Sequence, residues 1–95
     1  MDALGSRIVP HELVSWAELD GESVLLHIET GIYFGLDAVG TLIWQEISRG
    51  ATEDQILAAI LAEYEVDPAV LRVDVLNFLN LLEHKGLVCC ADGGE

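Results

Sequence analysis

Apolar and polar residues change their period once along this chain. Up to Leu36 they alternate; from Asp37 onward they recur at helical spacing. Alternation puts every second side chain on one face of a strand, whereas steps of three and four keep side chains on one face of a helix. Glu12 to Leu19 alternates weakly, with Leu13 and Val14 beside Trp16 and Ala17, and reads as a strand. Asp20-Gly21 follows, a two-residue hairpin signal between apolar runs. Ser23 to Glu29 is the second predicted strand, with Val24, Leu26 and Ile28 on one face and Leu25 and His27 on the other. His27 reads there as an outward strand residue rather than a ligand. Thr30-Gly31 turns the chain, since Gly31 is free to take φ > 0. Ile32 to Leu36, β-branched and aromatic, is the third strand. Three such strands in succession form an antiparallel meander. Gly5, Ser6 and Pro10 argue against regular structure in residues 1–10.

Asp37 is placed to cap the first helix, because its carboxylate can accept the orphan N–H groups of a first turn. That helix runs from about Ala38 to Arg49 and ends at Gly50, with Val39, Leu42, Ile43 and Ile47 at helical spacing and Trp44 covering the sheet. Thr52 and Gln55 form a capping box for the second helix, and Glu53 and Asp54 lie where its dipole favours them. Its predicted buried stripe is Ile56, Leu57, Ile60, Leu61 and Tyr64. Asp67 caps the third helix and Pro68 occupies its first position, where a missing N–H costs nothing. This helix runs to about Lys85 and stops at Gly86, with a core stripe of Leu71, Val75, Phe78, Leu79 and Leu82. Apolar residues remain off that stripe. Val70, Asp74, Asn77 and Leu81 lie on one flank; Arg72, Leu76, Asn80 and Glu83 lie on the other. A helix apolar over more than one face has a second contact to make. Leu87 to Cys89 adds a short terminal strand or simply packs.

The fold class is therefore α+β: a three-stranded antiparallel sheet followed by three helices, winged-helix-like. The 95 residues allow one domain, 1–95, with an ordered core of about 12–88. At 52% hydrophobic and a mean hydropathy of +0.40, the chain should fold. Its apolar runs fall short of the roughly 18 residues a membrane span needs, and the start lacks a signal-peptide pattern, which makes the cytoplasm the default location.

Charge narrows the partners. Four basic residues stand against 17 acidic ones, a net charge of −13. Nucleic-acid affinity rests on Lys and Arg neutralising phosphates, so DNA and anionic membrane are disfavoured. The plainer reading of the charge is a solvated surface; the sharper one is attraction of a basic peptide. Chemistry finds no footing. There is no G-x-S-x-G, no phosphate-binding glycine motif, and no Cys with an evident His partner. Cys89 and Cys90 are adjacent and read as reduced thiols. His11, His27 and His84 lack metal-ligand spacing. No cofactor and no catalytic residue are assigned, which leaves a binding role.

The run from Gly31 to Val88 resembles the PqqD-like family, the recognition elements of ribosomally made, modified peptides. It is most similar to the small stand-alone proteins of lasso-peptide clusters that bind leader peptides. The resemblance rests on Tyr33-Phe34-Gly35-Leu36-Asp37 after a turn glycine, then Ala38 to Trp44. It continues through Val66-Asp67-Pro68, Asp74-Val75, Phe78-Leu79, Leu82 and Gly86-Leu87-Val88. Asp37 stands where the family often has Asn, and both cap helices. Ile32 stands where a basic residue is usual, which makes this strand more apolar.

The resemblance implies a module without activity of its own. It would bind the leader segment of a precursor peptide as a strand added beside Ile32–Leu36, against the third helix. It would then present the leader to a leader peptidase, a cysteine protease of the same pathway, with a cyclase as a further partner. The residues expected to bind the peptide are Ile32, Tyr33, Phe34, Gly35 and Leu36 on the strand and Val70, Asp74, Asn77, Phe78 and Leu81 on the helix. The Leu76–Asn80 flank is the alternative wall. Plainer roles stand beside each: Phe78 as core, Asp74 and Asn77 as solvated surface, and one of Tyr33 and Phe34 as core, because alternate strand residues face opposite sides. The rival classes are a winged-helix DNA-binding regulator, which −13 disfavours, and an acidic scaffold protein.

Overall fold

The computed structural model describes residues 8–90. Its elements run β1 (Ile8–Pro10), β2 (Val14–Leu19), β3 (Glu22–His27), β4 (Tyr33–Leu36), α1 (Ala38–Ser48), α2 (Glu53–Glu63), α3 (Pro68–His84) and β5 (Val88–Cys90). β2, β3 and β4 form an antiparallel meander in that order, followed by three helices. The α+β reading holds.

Local sequence chemistry sets most boundaries. Asp20 and Gly21 both take positive φ, 56° and 81°, as a tight two-residue hairpin turn requires. Asp37 Oδ1 accepts the Gly40 N–H at 2.8 Å and starts α1. Thr52 and Gln55 bond reciprocally across the first turn of α2. Asp67 Oδ1 accepts from Ala69 N at 2.9 Å, with Pro68 opening α3. Gly50 and Gly86 follow α1 and α3 at φ 77° and 75°.

The inner face of the sheet packs on the helices. Leu25, Leu36, Trp44, Ile47, Ile56, Ile60, Val75, Leu79 and Leu82 are buried together. Trp44 lies under the sheet with its ring edge-on to Trp16, centroids 5.3 Å apart. The hydroxyls of Ser23 and Thr41 share a buried hydrogen bond of 2.8 Å that ties β3 to α1.

Four expectations are corrected. Ile8–Pro10 is a strand, paired antiparallel with Val88–Cys90, so regular structure begins before residue 11; residues 1–7 lie outside the described residues. This second, two-stranded sheet joins segments far apart in sequence. Ser23–Glu29 ends as a strand at His27 and Ile32–Leu36 begins at Tyr33, because His27 organises a wider turn between them. His27 itself faces inward, 5% exposed. Its Nδ1 accepts the N–H groups of Glu29 and Thr30, its backbone N–H donates to Ile32 O, and its ring lies 5.1 Å from that of His11. Finally, Leu61 and Tyr64 are exposed rather than part of the α2 core, because each lies at the rim of an open cleft between α2 and α3.

Candidate functional site

β4 pairs with β3 through Leu26↔Tyr33, Leu25↔Phe34, Val24↔Gly35 and Ser23↔Leu36. Among the described residues its other edge has no strand beside it. The ladder pattern decides which backbone groups that edge presents. His27 N–H donates to Ile32 O at 2.9 Å, so the bonded pairs continue at Leu25–Phe34 and Ser23–Leu36. The N–H and C=O groups of Tyr33 and Gly35 therefore point away from β3, toward the open edge.

Side chains follow the opposite alternation. Tyr33 is 71% exposed on the outer face. Phe34 points inward, partly buried against the core, which assigns the core role to Phe34 rather than Tyr33. Leu36 is buried, and Ile32 is exposed just ahead of the strand.

α3 meets this segment at two points. The Lys85 ammonium lies over the Phe34 ring, 5.8 Å from its centroid. At the other end of β4, a cleft of about 380 Å³ is lined by Asp37 and Val39 on one side and Asp74 and Phe78 on the other, with Tyr64 and Val66 also contributing. Three strand residues from Phe34 to Asp37 span about 10 Å. Seven helical residues from Phe78 to Lys85 rise about 10 Å. The Lys85–Phe34 contact and the cleft between Asp37 and Phe78 thus fit an α3 running antiparallel to β4 over matched lengths.

Asp74, Phe78, Leu81 and Lys85 recur at steps of four, three and four, a single stripe of α3. Leu81 is 40% exposed within it, and Val70 and Asn77 beside it are exposed too. On the opposite flank Arg72 contacts Glu53 Oε1 at 3.3 Å and Asp54 Oδ1 at 3.5 Å on α2, Leu76 is half-buried, and Asn80 and Glu83 are exposed. The structure brings Asp74 and Phe78 to the cleft beyond the Leu36 end of β4, sets Leu81 on the same stripe between Phe78 and Lys85, and leaves Asn77 exposed beside it. Val70 lies one turn before Asp74.

Residues 22–88 match the family model of coenzyme PQQ synthesis protein D, PqqD. The chain belongs to the PqqD family. No curated protein matches it. Among solved structures, TbiB1 in complex with the TbiA(β) leader peptide is similar at a TM-score of 0.81 and 40% identity, over 92% of this chain and 99% of that one. Lasso peptide synthetase B1 complexed with its leader peptide is similar at 0.80, over 88% of this chain and 99% of that one; at 24% identity this likeness speaks for the fold.

In this PqqD-family chain, several cleft residues escaped sequence reasoning. Val39, Tyr64 and Val66 line the cleft beside Asp74 and Phe78. Tyr64 and Val66 sit at and after the C-terminal end of α2, where helical periodicity runs out, and only tertiary packing turns them toward α3. No group of three or more His, Cys, Asp or Glu among the described residues could hold a metal ion. No helix there is long and apolar enough to cross a membrane.

Proposed function

We propose that this chain is a single-domain recognition element that binds the leader segment of a ribosomally made precursor peptide. The leader adds as a strand to the open edge of Tyr33–Leu36, lies against α3, and is delivered to a separate leader peptidase of lasso-peptide maturation. Ile32, Tyr33, Phe34, Gly35 and Leu36 form the strand side of the groove. Val70, Asp74, Asn77, Phe78 and Leu81 form the helix side. The chain makes and breaks no bonds; the cysteine-protease peptidase and the cyclase are separate proteins, and all work in the cytoplasm.

One observation carries the reading. A β edge with outward N–H and C=O groups at Tyr33 and Gly35 lies next to an apolar cleft, in a chain 40% identical to a protein seen holding a leader peptide. Strand addition needs both parts. A backbone hydrogen bond nets about 0.5–1.5 kcal/mol after its water bonds are lost. Ordering each peptide residue costs about 1–2 kcal/mol of backbone entropy. These nearly cancel, so affinity has to come from apolar anchors at about 1.5–3 kcal/mol each. The cleft at Val39, Phe78, Tyr64 and Val66 is shaped for such an anchor, and Asp37 and Asp74 favour a neighbouring donor or cation.

The test is titration of the protein with a fluorescein-labelled TbiA(β) leader peptide, followed by amide exchange on the complex. Saturable binding with slowed exchange at Tyr33 and Gly35 is expected. Binding that leaves both amides unprotected overturns strand addition to β4, and no binding overturns the leader reading.

A further inference from the structure

The outer face of the sheet, turned away from the helices, is also apolar. Register places Ala17, Val24 and Gly35 in one row across β2, β3 and β4, with Ser15, Leu26 and Tyr33 in another. Residues opposite one another in a ladder point their side chains to the same face. Leu25, buried between Trp16 and Phe34, belongs to the other face. Val24 and Leu19 are 46% and 77% exposed. A shallow hollow of about 570 Å³ lies along the Ala17–Gly35 row, lined by Ala17, Leu19, Val24 and Gly35 together with Glu22 and Asp37.

Gly35 accounts for the hollow. It is not among the positive-φ glycines, and a Cβ built on it meets nothing within 4 Å. Neither backbone conformation nor crowding calls for glycine there. Glycine inside a strand weakens it, and commonly marks a place where another chain approaches closely. What the missing side chain provides is open space beside the free edge of β4.

A guest residue paired with Gly35 turns its side chain to the same face, over that space. We propose that the leader carries a large apolar side chain, aromatic for preference, at this position, and that it lies across Gly35 into the hollow. It is a second anchor, on the opposite side of the guest strand from the one entering the α3 cleft. The leader is then read on both faces, at positions of alternate parity. Glu22 and Asp37 beside the hollow disfavour an acidic residue there. This inference rests on the leader-binding reading and deepens it.

The experiment is a double-mutant cycle in the full chain. Gly35→Val is combined with an alanine scan of the TbiA(β) leader, read by fluorescence polarisation, with thermal melting of each protein. Gly35→Val is expected to keep or raise the melting midpoint while weakening the peptide about tenfold. One leader position, whose alanine substitution weakens binding to the wild-type protein about tenfold, is expected to lose nearly all its effect against Gly35→Val. Ala17→Leu fills the hollow from β2, away from the guest strand, and is expected to weaken binding by a similar factor if Gly35→Val does not fold. Wild-type affinity in both variants, or alanine effects that all carry through unchanged, overturns the second anchor. If Leu81→Glu weakens binding while both variants leave it intact, the outer anchor is wrong and the groove reading stands. If the wild-type protein does not bind the peptide, both fall.

Discussion

The three-stranded sheet has two outer strands, β2 and β4, and they differ in what lies beside them. Both present outward N–H groups: Trp16 and Glu18 on β2, by alternation from the Ile28 N–H to Leu13 O bond, and Tyr33 and Gly35 on β4. At β2 the neighbouring helix is already in contact. Trp44 of α1 sits edge-on against Trp16, and Gln45 Nε2 donates to Glu18 Oε1 at 3.1 Å. At β4, α3 touches Phe34 through Lys85 and leaves an apolar cleft at the far end of the strand. An unpaired edge is thus not a binding site on its own. Backbone bonds roughly offset the ordering of a guest, so under the proposed strand addition apolar space beside the edge selects β4 over β2.

This contrast can be broken at several strengths. The largest effect is expected from Tyr33→Pro, which removes an outward N–H and puts a ring where the guest would pair, without touching the bonds to β3. Leader affinity should fall at least about a hundredfold with the melting transition retained; near-wild-type affinity in a folded variant would show that β4 is not the receiving strand. Leu81→Glu comes next, placing a charge in the wall of the groove. A loss of about thirtyfold is expected, in line with ~2 kcal/mol for an unpaired charge against apolar surface. If Arg72→Met on the opposite flank weakens the peptide more than Leu81→Glu, the wall has been assigned to the wrong side. Lys85→Ala should have a smaller effect. It removes a partly exposed cation–π contact worth about 0.5–1 kcal/mol, so a two- to fivefold change is expected in the same polarisation assay. Glu18→Pro, at the β2 edge, should leave leader affinity unchanged; a marked loss there would make the two edges equivalent.

Much of this architecture was legible because its determinants are local. Asp20-Gly21, Thr52 with Gln55, and Asp67-Pro68 each act within one turn, and each boundary lies where those residues put it. What the sequence hid depends on contacts between distant segments. Ile8–Pro10 has three residues and a proline, and becomes a strand because Val88–Cys90 returns beside it. His27 lies in a strand with Leu on both faces, Leu25 and Leu26, so apolar alternation does not say which face is inside; Ser23 and His27, polar residues, turned out to share the buried one. Of the candidate site, the strand Tyr33–Leu36 was legible from its aromatic residues and the β-branched Ile32, which falls just ahead of it. On α3 the contacts of Arg72 with α2 and of Lys85 with Phe34 were not legible, because a helix with apolar residues on several faces does not announce which neighbour each face meets.

The pairing of Ile8 with Cys90 has a practical consequence for engineering. Opposed residues in such a ladder lie about 5 Å apart. A short linker could therefore splice position 90 back to position 8, and new termini could be opened at the solvent-facing Asp20-Gly21 turn. Such a circular permutant would leave the Tyr33–Leu36 edge and α3 uncut, and would allow a protease or reporter to be tethered at the Leu36 end of the sheet, beside Leu19 and Glu22.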